Sequence, residues 1–168
     1  RERNDYTVFV MGGRVGDKIY IIDCKRLRIM GNVEKLEAIM EMMMEWGIVH
    51  KDQDKYFPTG STVDIWSEAV AYQASLEADF KRICLEEQGL YNLLWHPVKG
   101  FRGDKVARFR GIMGLFEQHK ILFNKYRKFQ ALNDEIVNFG VSSHDDCVDA
   151  LVWLCNGLMS RGKLELEY

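Results

Sequence analysis

Segments rich in β-branched and aromatic residues alternate along this chain with segments of helical periodicity, and this order constrains the fold most strongly. The residues 6–11 and 18–29 predict two strands, joined by a turn at Gly12-Gly13 and Gly16-Asp17. Together they predict an antiparallel hairpin. Three further strands are predicted over residues 62–66, 93–95 and 121–123. Strands that alternate with helices indicate an α/β fold in which helices flank a mixed sheet.

The helices are predicted from apolar residues at helical spacing and from the residues that begin and end each run. Asn32 is the expected N-cap of the first helix, Gly47 ends it, and Gly89 closes the second. Ser142-Ser143 is the expected cap of the last. The first helix carries a Met-rich apolar face, which predicts packing into a core rather than a binding groove: Leu36, Ile39, Met40, Met43 and Met44. The predicted helical ranges are 33–46, 72–88, 105–118, 129–139 and 145–159.

Length and composition are those of one globular domain. The chain has 168 residues, of which 47% are hydrophobic and 29% are charged, so we expect a single domain over residues 1–168. No apolar run approaches the roughly 20 residues that span a bilayer, and the polar first residues argue against a signal peptide. The four cysteines form no Cys-x-x-Cys pair, which favours buried reduced thiols over a zinc or disulfide site.

Three carboxylates, Asp145, Asp146 and Asp149, fall within five residues at the start of the last predicted helix. At about 100° per helical residue they project into one quadrant, beside an apolar stripe that begins at Val148. Acids in a first helical turn favour the helix dipole, which explains one or two of them. Clustered like charges also repel unless a cation neutralises them. The pattern is therefore open to two interpretations, metal ligation or a capping and dipole role.

A second acidic residue lies where a predicted strand ends. Glu68 follows the third strand, and sites in open α/β sheets gather at such strand ends. Period-two alternation would put Asp64, Trp66 and Glu68 on one face. A lone glutamate in a loop is normally a solvated carboxylate. Glu68 therefore becomes a candidate metal ligand only when it is considered together with the aspartates.

A basic segment with two glycines and two aromatic residues runs over residues 99–110. It predicts a phosphate-binding patch that contains Lys99, Arg102, Lys105 and Arg108. A solvated charged face is the competing interpretation. The net charge is only −2, but a local basic patch can coexist with carboxylates that lower the total. The chain contains no G-x-x-x-x-G-K-[ST], G-x-S-x-G or H-E-x-x-H motif.

In their order along the chain, four motifs resemble the nuclease domain of phage terminase large subunits, particularly those of prophage type. The resemblance covers residues 5–158, and the closing motif is the most specific. The motifs are Asn4-Asp5-Tyr6-Thr7, the segment from Glu68 to Gln73, the basic segment from Pro97 to Arg108, and His144-Asp145-Asp146 with Asp149-Ala150-Leu151.

This resemblance implies a ribonuclease H-like fold and a metal-dependent endonuclease that cuts double-stranded phage DNA during genome packaging, with two Mg²⁺ or Mn²⁺ ions. By motif, Glu68 is a metal ligand, and Asp145 and Asp146 supply the ligand of the last helix, with Asp146 preferred. Asp149 and Asp5 are either carboxylates beside the metals or ligands of the second one. The resemblance also implies a terminase ATPase domain, a small terminase subunit and a portal as partners, no membrane, and the cytoplasm of the bacterial host as location.

The sequence departs from the family at one point. The family's first catalytic aspartate lies in an Asp-Pro-Ala-like motif upstream of the position that Arg1 occupies, and Asp5 matches a different family position. We therefore expect the domain to lack the family's first strand, to bind Mn²⁺ weakly and to cut DNA poorly or not at all. Two alternatives remain open: a catalytically impaired remnant that binds DNA or the portal, and another ribonuclease H-like nuclease, such as a Holliday-junction resolvase or a transposase-type enzyme.

Overall fold

A computed structural model describes residues 6–29, 31–68, 73–98, 105–142 and 144–164. In chain order its elements are β1 (Thr7–Val15), β2 (Lys18–Leu27), α1 (Asn32–Glu45), β3 (Val49–Asp52), β4 (Lys55–Pro58), β5 (Val63–Glu68), α2 (Gln73–Phe80), β6 (Leu93–Val98), α3 (Lys105–Glu117), β7 (Ile121–Phe123), α4 (Gln130–Val137) and α5 (Asp146–Leu164). A π-helical segment, Lys81–Glu87, continues α2. The elements form a mixed α/β structure, as predicted.

The chain forms two compact units, one of residues 1–28 with 101–168 and the other of residues 29–100. We call them the first and second unit. The first unit contains a sheet in the order β1-β2-β7. Strands β1 and β2 form the predicted antiparallel hairpin, and β7 runs parallel to β2. The buried residues Ile19 and Ile21 of β2 belong to its core.

Helices α3, α4 and α5 complete the first unit. Of the predicted apolar stripe of α5, Val148, Leu151, Val152 and Cys155 are buried, and Leu158 is half-buried. Helix α5 lies close to β1 at Gly12, where a Cβ atom would lie 2.9 Å from Leu154 Cδ2 and 2.6 Å from the carbonyl oxygen of Tyr20. Burial of this stripe determines which face of α5 is directed away from the core.

The second unit contains two sheets, the antiparallel pair β3-β4 and the parallel pair β5-β6. The face of α1 is packed as predicted, with one exchange: Met42 is buried and Met44 is 41% exposed. Gly47 and Gly89 follow the two helices with φ angles of 74° and 67°, in the left-handed region that favours glycine. Both helix ends therefore lie where the glycines predicted them.

Three local predictions were wrong. Gly12 and Gly13 lie inside β1, at a register shift after Met11, and Gly16-Asp17 alone makes the turn. The N-cap of α1 is Gly31, and Asn32 is the first helical residue; the side-chain nitrogen of Asn32 donates to Ser75 Oγ (3.1 Å) and Asp79 Oδ2 (3.0 Å). The β3-β4 pair, which joins at Gln53-Asp54, was not predicted at all.

Candidate active site

The aspartates of the closing motif lie at the N-terminus of α5. Asp146 is the first residue of the helix, and the carbonyl oxygen of Asp145 accepts a hydrogen bond of 2.9 Å from the Asp149 N–H. All three side chains are half-buried. The stripe that begins at Val148 turns into the core, so these carboxylates lie along the border between the packed face and solvent.

Asp146 is held in position from the start of β1. Its Oδ2 atom accepts a hydrogen bond of 3.2 Å from the backbone N–H of Tyr6. The Tyr6 ring packs edge-on against His144, with centroids 5.4 Å apart. This contact joins the first and last predicted motifs of the chain, and it restricts the rotamer of the Asp146 carboxylate.

Two arginines of the hairpin surround the same tyrosine. The guanidinium carbons of Arg26 and Arg28 lie 4.2 and 4.8 Å from the centre of the Tyr6 ring. Arg28 Nη2 also donates to the Tyr6 hydroxyl at 2.9 Å. Two cations therefore lie against the side chain of Tyr6, the residue whose N–H holds Asp146, and guanidinium groups are suited to bind phosphate.

A buried carboxylate on α4 caps α5. Glu135 is only 3% exposed, and its Oε1 atom accepts hydrogen bonds from the backbone N–H groups of Cys147 (2.9 Å) and Val148 (3.2 Å). Arg26 Nη1 lies 3.9 Å from the other oxygen. Of the cap predicted at Ser142-Ser143, Ser142 Oγ accepts from the N–H of His144, at 3.2 Å, and Ser143 lies outside the described residues.

Cys147 lies in the same turn, and its thiol is shielded. The pKa of Cys147 is raised by its hydrogen bond with the Cys24 thiol, by burial and by the neighbouring Glu135 carboxylate. Burial likewise raises the pKa values of Cys84 and Cys155 to about 12. These three thiols are buried, as predicted, whereas Cys24 is half-buried. None of the three is suited to act as a nucleophile, since the reactive form of cysteine is the thiolate.

Glu68 belongs to the second unit, where it is the last residue of β5 and pairs with Val98. Asp64, on the same strand, is 10% exposed and lies 2.8 Å from His96 Nε2. The His96 ring stacks on Trp66, with centroids 5.9 Å apart. Asp64 and Trp66 thus share a face as predicted, and alternation places Glu68 on that face as well.

The acidic residues carry the oxygen donors that a hard divalent cation binds, but they do not form a preassembled cluster. Among the described residues, no group of three or more His, Cys, Asp or Glu side chains is arranged to hold a metal ion. Within the first unit, Asp145, Asp146 and Asp149 nevertheless supply carboxylate oxygens, which Mg²⁺ and Mn²⁺ prefer, so these residues suit such an ion. Glu68, in the second unit, offers a donor group of the same kind. Asp5 lies outside the described residues.

Little of the predicted basic patch falls in the described part of the chain. Lys99 and Arg102 lie outside it, and Lys105 is described only as the first residue of α3. Arg108 is half-buried and Arg110 is exposed. Between them, Phe109 is buried and packs on Phe139 with ring centroids 4.3 Å apart, so this side of α3 is packed within the first unit.

Sequence reasoning missed three residues around these sites: Glu135, Arg26 and His96. The role of each residue depends on a contact with a residue distant in the chain, and no local sequence spacing predicts that contact. No local spacing in the sequence links His96 to a carboxylate. Only the pairing of β5 with β6 brings it to Asp64.

The first unit is an α/β structure, and its half-buried aspartates lie at the capped N-terminus of α5, at the edge of a packed core. This is the arrangement of an α/β protein with an acidic site. The comparison with known families makes this specific. The model of the terminase RNaseH-like domain matches residues 2–158, and the chain belongs to that family.

Family membership confirms the predicted resemblance and supports a nuclease role in DNA packaging. No curated protein matches the chain. None of the helices in the described ranges has the length and hydropathy needed to cross a membrane.

Proposed function

We propose that this chain is the nuclease domain of a terminase large subunit and that it cuts double-stranded DNA during packaging of a phage genome. The observation that carries the proposal is the fixed geometry of the α5 N-terminus. Asp146 accepts a hydrogen bond from the Tyr6 N–H, and Glu135 holds the following turn through two backbone N–H groups. A side chain held in this way loses little freedom when it engages a ligand.

Glu68, Asp145 and Asp146 would hold divalent cations, and Asp149 and Asp5 would lie beside them or bind the second ion. Bound Mg²⁺ or Mn²⁺ ions stabilise negative charge on the attacking and leaving oxygens of a phosphodiester and help to ionise the attacking water. Of Asp145 and Asp146, the latter is the better candidate for direct ligation, because its carboxylate is already oriented by a hydrogen bond.

The remaining residues would position the substrate. Arg26 and Arg28 lie over the ring of Tyr6, whose backbone N–H holds Asp146, and would bind a phosphate of the strand to be cut. Lys99, Arg102, Lys105 and Arg108 would bind the DNA backbone. Phosphate contacts carry little sequence information, so we expect cleavage with weak sequence preference. By family, the partners would be a terminase ATPase domain, the small subunit and the portal, in the cytoplasm of the host.

The test is cleavage of supercoiled plasmid with Mn²⁺ or Mg²⁺, followed as conversion to nicked and linear forms. We expect cleavage that EDTA stops and that Glu68→Gln abolishes. Glu86→Gln is the matched control, because it makes the same change at an exposed position in the same unit. Folded protein that binds DNA but cuts none with either metal would favour a catalytically impaired DNA-binding module over an active nuclease. Cleavage that requires four-way junctions would favour a resolvase.

A further inference from the structure

The loop that follows β7 is strongly basic and was not part of the predicted DNA-binding patch. We call residues 124–129, with the sequence Asn-Lys-Tyr-Arg-Lys-Phe, the basic loop. It lines an open cavity of about 580 Å³ together with the first turns of α4. Three cations line this cavity, Lys125, Arg127 and Lys128, and the only carboxylate among the described residues that line it is Asp134.

The basic loop is held in one shape by its first and last residues. The backbone N–H of Asn124 donates to the Ile21 carbonyl (2.9 Å), and its side-chain amide donates to the Ile22 carbonyl (3.2 Å). The Tyr126 N–H then donates to Asn124 Oδ1 at 3.1 Å. At the other end, the Phe129 ring is buried and packs edge-on against Phe123. The loop is therefore preorganised, which reduces the entropy lost on binding.

The polar groups of the basic loop are presented to solvent. Lys125 and Lys128 are exposed. Tyr126 is 82% exposed, and Lys125 Nζ lies 5.1 Å above its ring. An exposed aromatic ring beside two exposed lysines is the combination used by surfaces that bind a nucleic-acid backbone, where cations neutralise phosphates and a ring packs on sugar or base.

The first unit places the basic loop at the carboxyl end of β7, on the side of the sheet towards which β2 also runs. The loop contacts β2 at Ile22, and the acidic end of α5 connects through Tyr6 to Arg28, just beyond the same strand. From Ile22 to Arg28 an extended chain covers about 20 Å at 3.3 Å per residue. At 3.4 Å per base pair, that distance corresponds to about six base pairs of duplex.

We propose that the basic loop is a second binding site for DNA phosphates, in which Lys125 and Lys128 neutralise two phosphates and Tyr126 packs on the backbone between them. It holds the duplex several base pairs away from the acidic end of α5. The inference rests on the proposed function only in taking double-stranded DNA as the ligand, since binding through this loop does not require that the chain cut.

The experiment measures binding of a fluorescent 30-base-pair duplex by anisotropy, with EDTA present, at a series of salt concentrations. The variant is Lys125→Gln/Lys128→Gln. The control is Lys51→Gln/Lys55→Gln, which removes two exposed lysines that also lie over aromatic rings, at 5.0 and 5.7 Å, but in the second unit. Each phosphate that the protein neutralises contributes about 0.9 to the slope of log K against log salt. The loop variant should therefore lose about 1.8 from this slope and bind several-fold more weakly at low salt.

Tyr126→Ala should weaken binding without changing the slope, because the ring carries no charge. An unchanged slope in the loop variant, an equal loss in the control, or no DNA binding by the unaltered chain would each overturn the proposal. Plasmid cleavage by the same proteins keeps the two proposals apart. Loop-dependent binding without any cleavage would refute the nuclease function alone, and cleavage with loop-independent binding would refute this inference alone.

Discussion

The Glu135 carboxylate accepts a hydrogen bond of 2.9 Å from the backbone N–H of Cys147, and this contact fixes the first turn of α5 to α4. A buried negative charge is normally expensive. Here its Oε1 atom accepts from two N–H groups that no helical carbonyl can reach, and the carboxylate lies at the positive end of the helix dipole. Arg26 lies on its other side at 3.9 Å. The first turn of α5, which carries the acidic residues of the candidate site, is thus held in place by a carboxylate that is not itself a proposed metal ligand.

The first prediction concerns this cap. Glu135→Ala should lower the free energy of unfolding by about 2–3 kcal/mol, because it leaves two buried N–H groups without an acceptor. Glu135→Gln should cost about 1 kcal/mol, since its amide oxygen still accepts and only the charge is lost. Urea denaturation followed by circular dichroism measures both. Asp134→Ala, an exposed acid on the same helix, is the control, and an equal loss in all three variants would contradict the capping role.

Much of the fold can be predicted from local sequence. The Glu135 cap is an example of a feature that cannot. The β1-β2 hairpin, α1 and α5 were predicted because alternation, helical spacing and glycine stops are encoded within each segment. The β3-β4 pair was missed because its strands are four residues long and turn at Gln53, whose φ of 54° is unusual for glutamine. Glu135 was missed because it acts on a helix that begins 11 residues later, through a contact that only the packed structure creates. The paired acids of α5 were predictable as a cluster, whereas the side chains that orient them were not.

The second prediction uses two neighbouring glycines of β1. Gly12→Ala should destabilise the protein by about 2 kcal/mol, because the added methyl would overlap the Tyr20 carbonyl and Leu154. Gly13→Ala meets no atom within 4 Å and should be neutral or stabilise by up to about 0.5 kcal/mol, since alanine has less backbone entropy to lose. Thermal denaturation of the two variants provides the comparison. Equal melting temperatures would show that α5 does not press against β1 at Gly12.

The third prediction concerns thiol reactivity. The raised pKa values of Cys84 and Cys155, about 12 in each case, and the raised pKa of Cys147 keep these thiols protonated at pH 8. Because the thiolate is the reacting form, they should resist iodoacetamide in the native protein. Half-buried Cys24 should be modified first. Mass spectrometry after peptide digestion gives the extent of labelling at each position, and labelling in urea shows that all four can react. Rapid modification of Cys147 in the folded protein would contradict the shielding of its thiol.

The fourth prediction concerns the basic segment that precedes and begins α3. If Lys105 and Arg108 bind phosphates, Lys105→Ala/Arg108→Ala should reduce the salt dependence of DNA binding by about 0.9 for each phosphate that is no longer neutralised, to the same extent for unrelated DNA sequences. Arg108 is half-buried, so its removal also tests packing, and the melting temperature of the variant must be measured alongside. A stable variant with unchanged salt dependence would remove both residues from the proposed DNA-binding surface.

The last prediction separates Asp145 from Asp146. The Asp146 carboxylate is oriented by the Tyr6 N–H, whereas Asp145 bonds to α5 through its backbone carbonyl. If Asp146 is the direct ligand, Asp146→Asn should reduce Mn²⁺-dependent cleavage by more than the roughly 10–100-fold that is typical of losing a supporting group. Asp145→Asn should then fall within that range, as should Asp149→Asn. Each change keeps the size of the side chain, and an amide oxygen can still accept from Tyr6, so the fold should be unaffected. Cleavage rates at saturating Mn²⁺, together with Mn²⁺ titrations, distinguish weaker metal binding from slower chemistry. A loss confined to Asp145→Asn would reverse the assignment, and full activity in both variants would exclude the α5 N-terminus from the nuclease site.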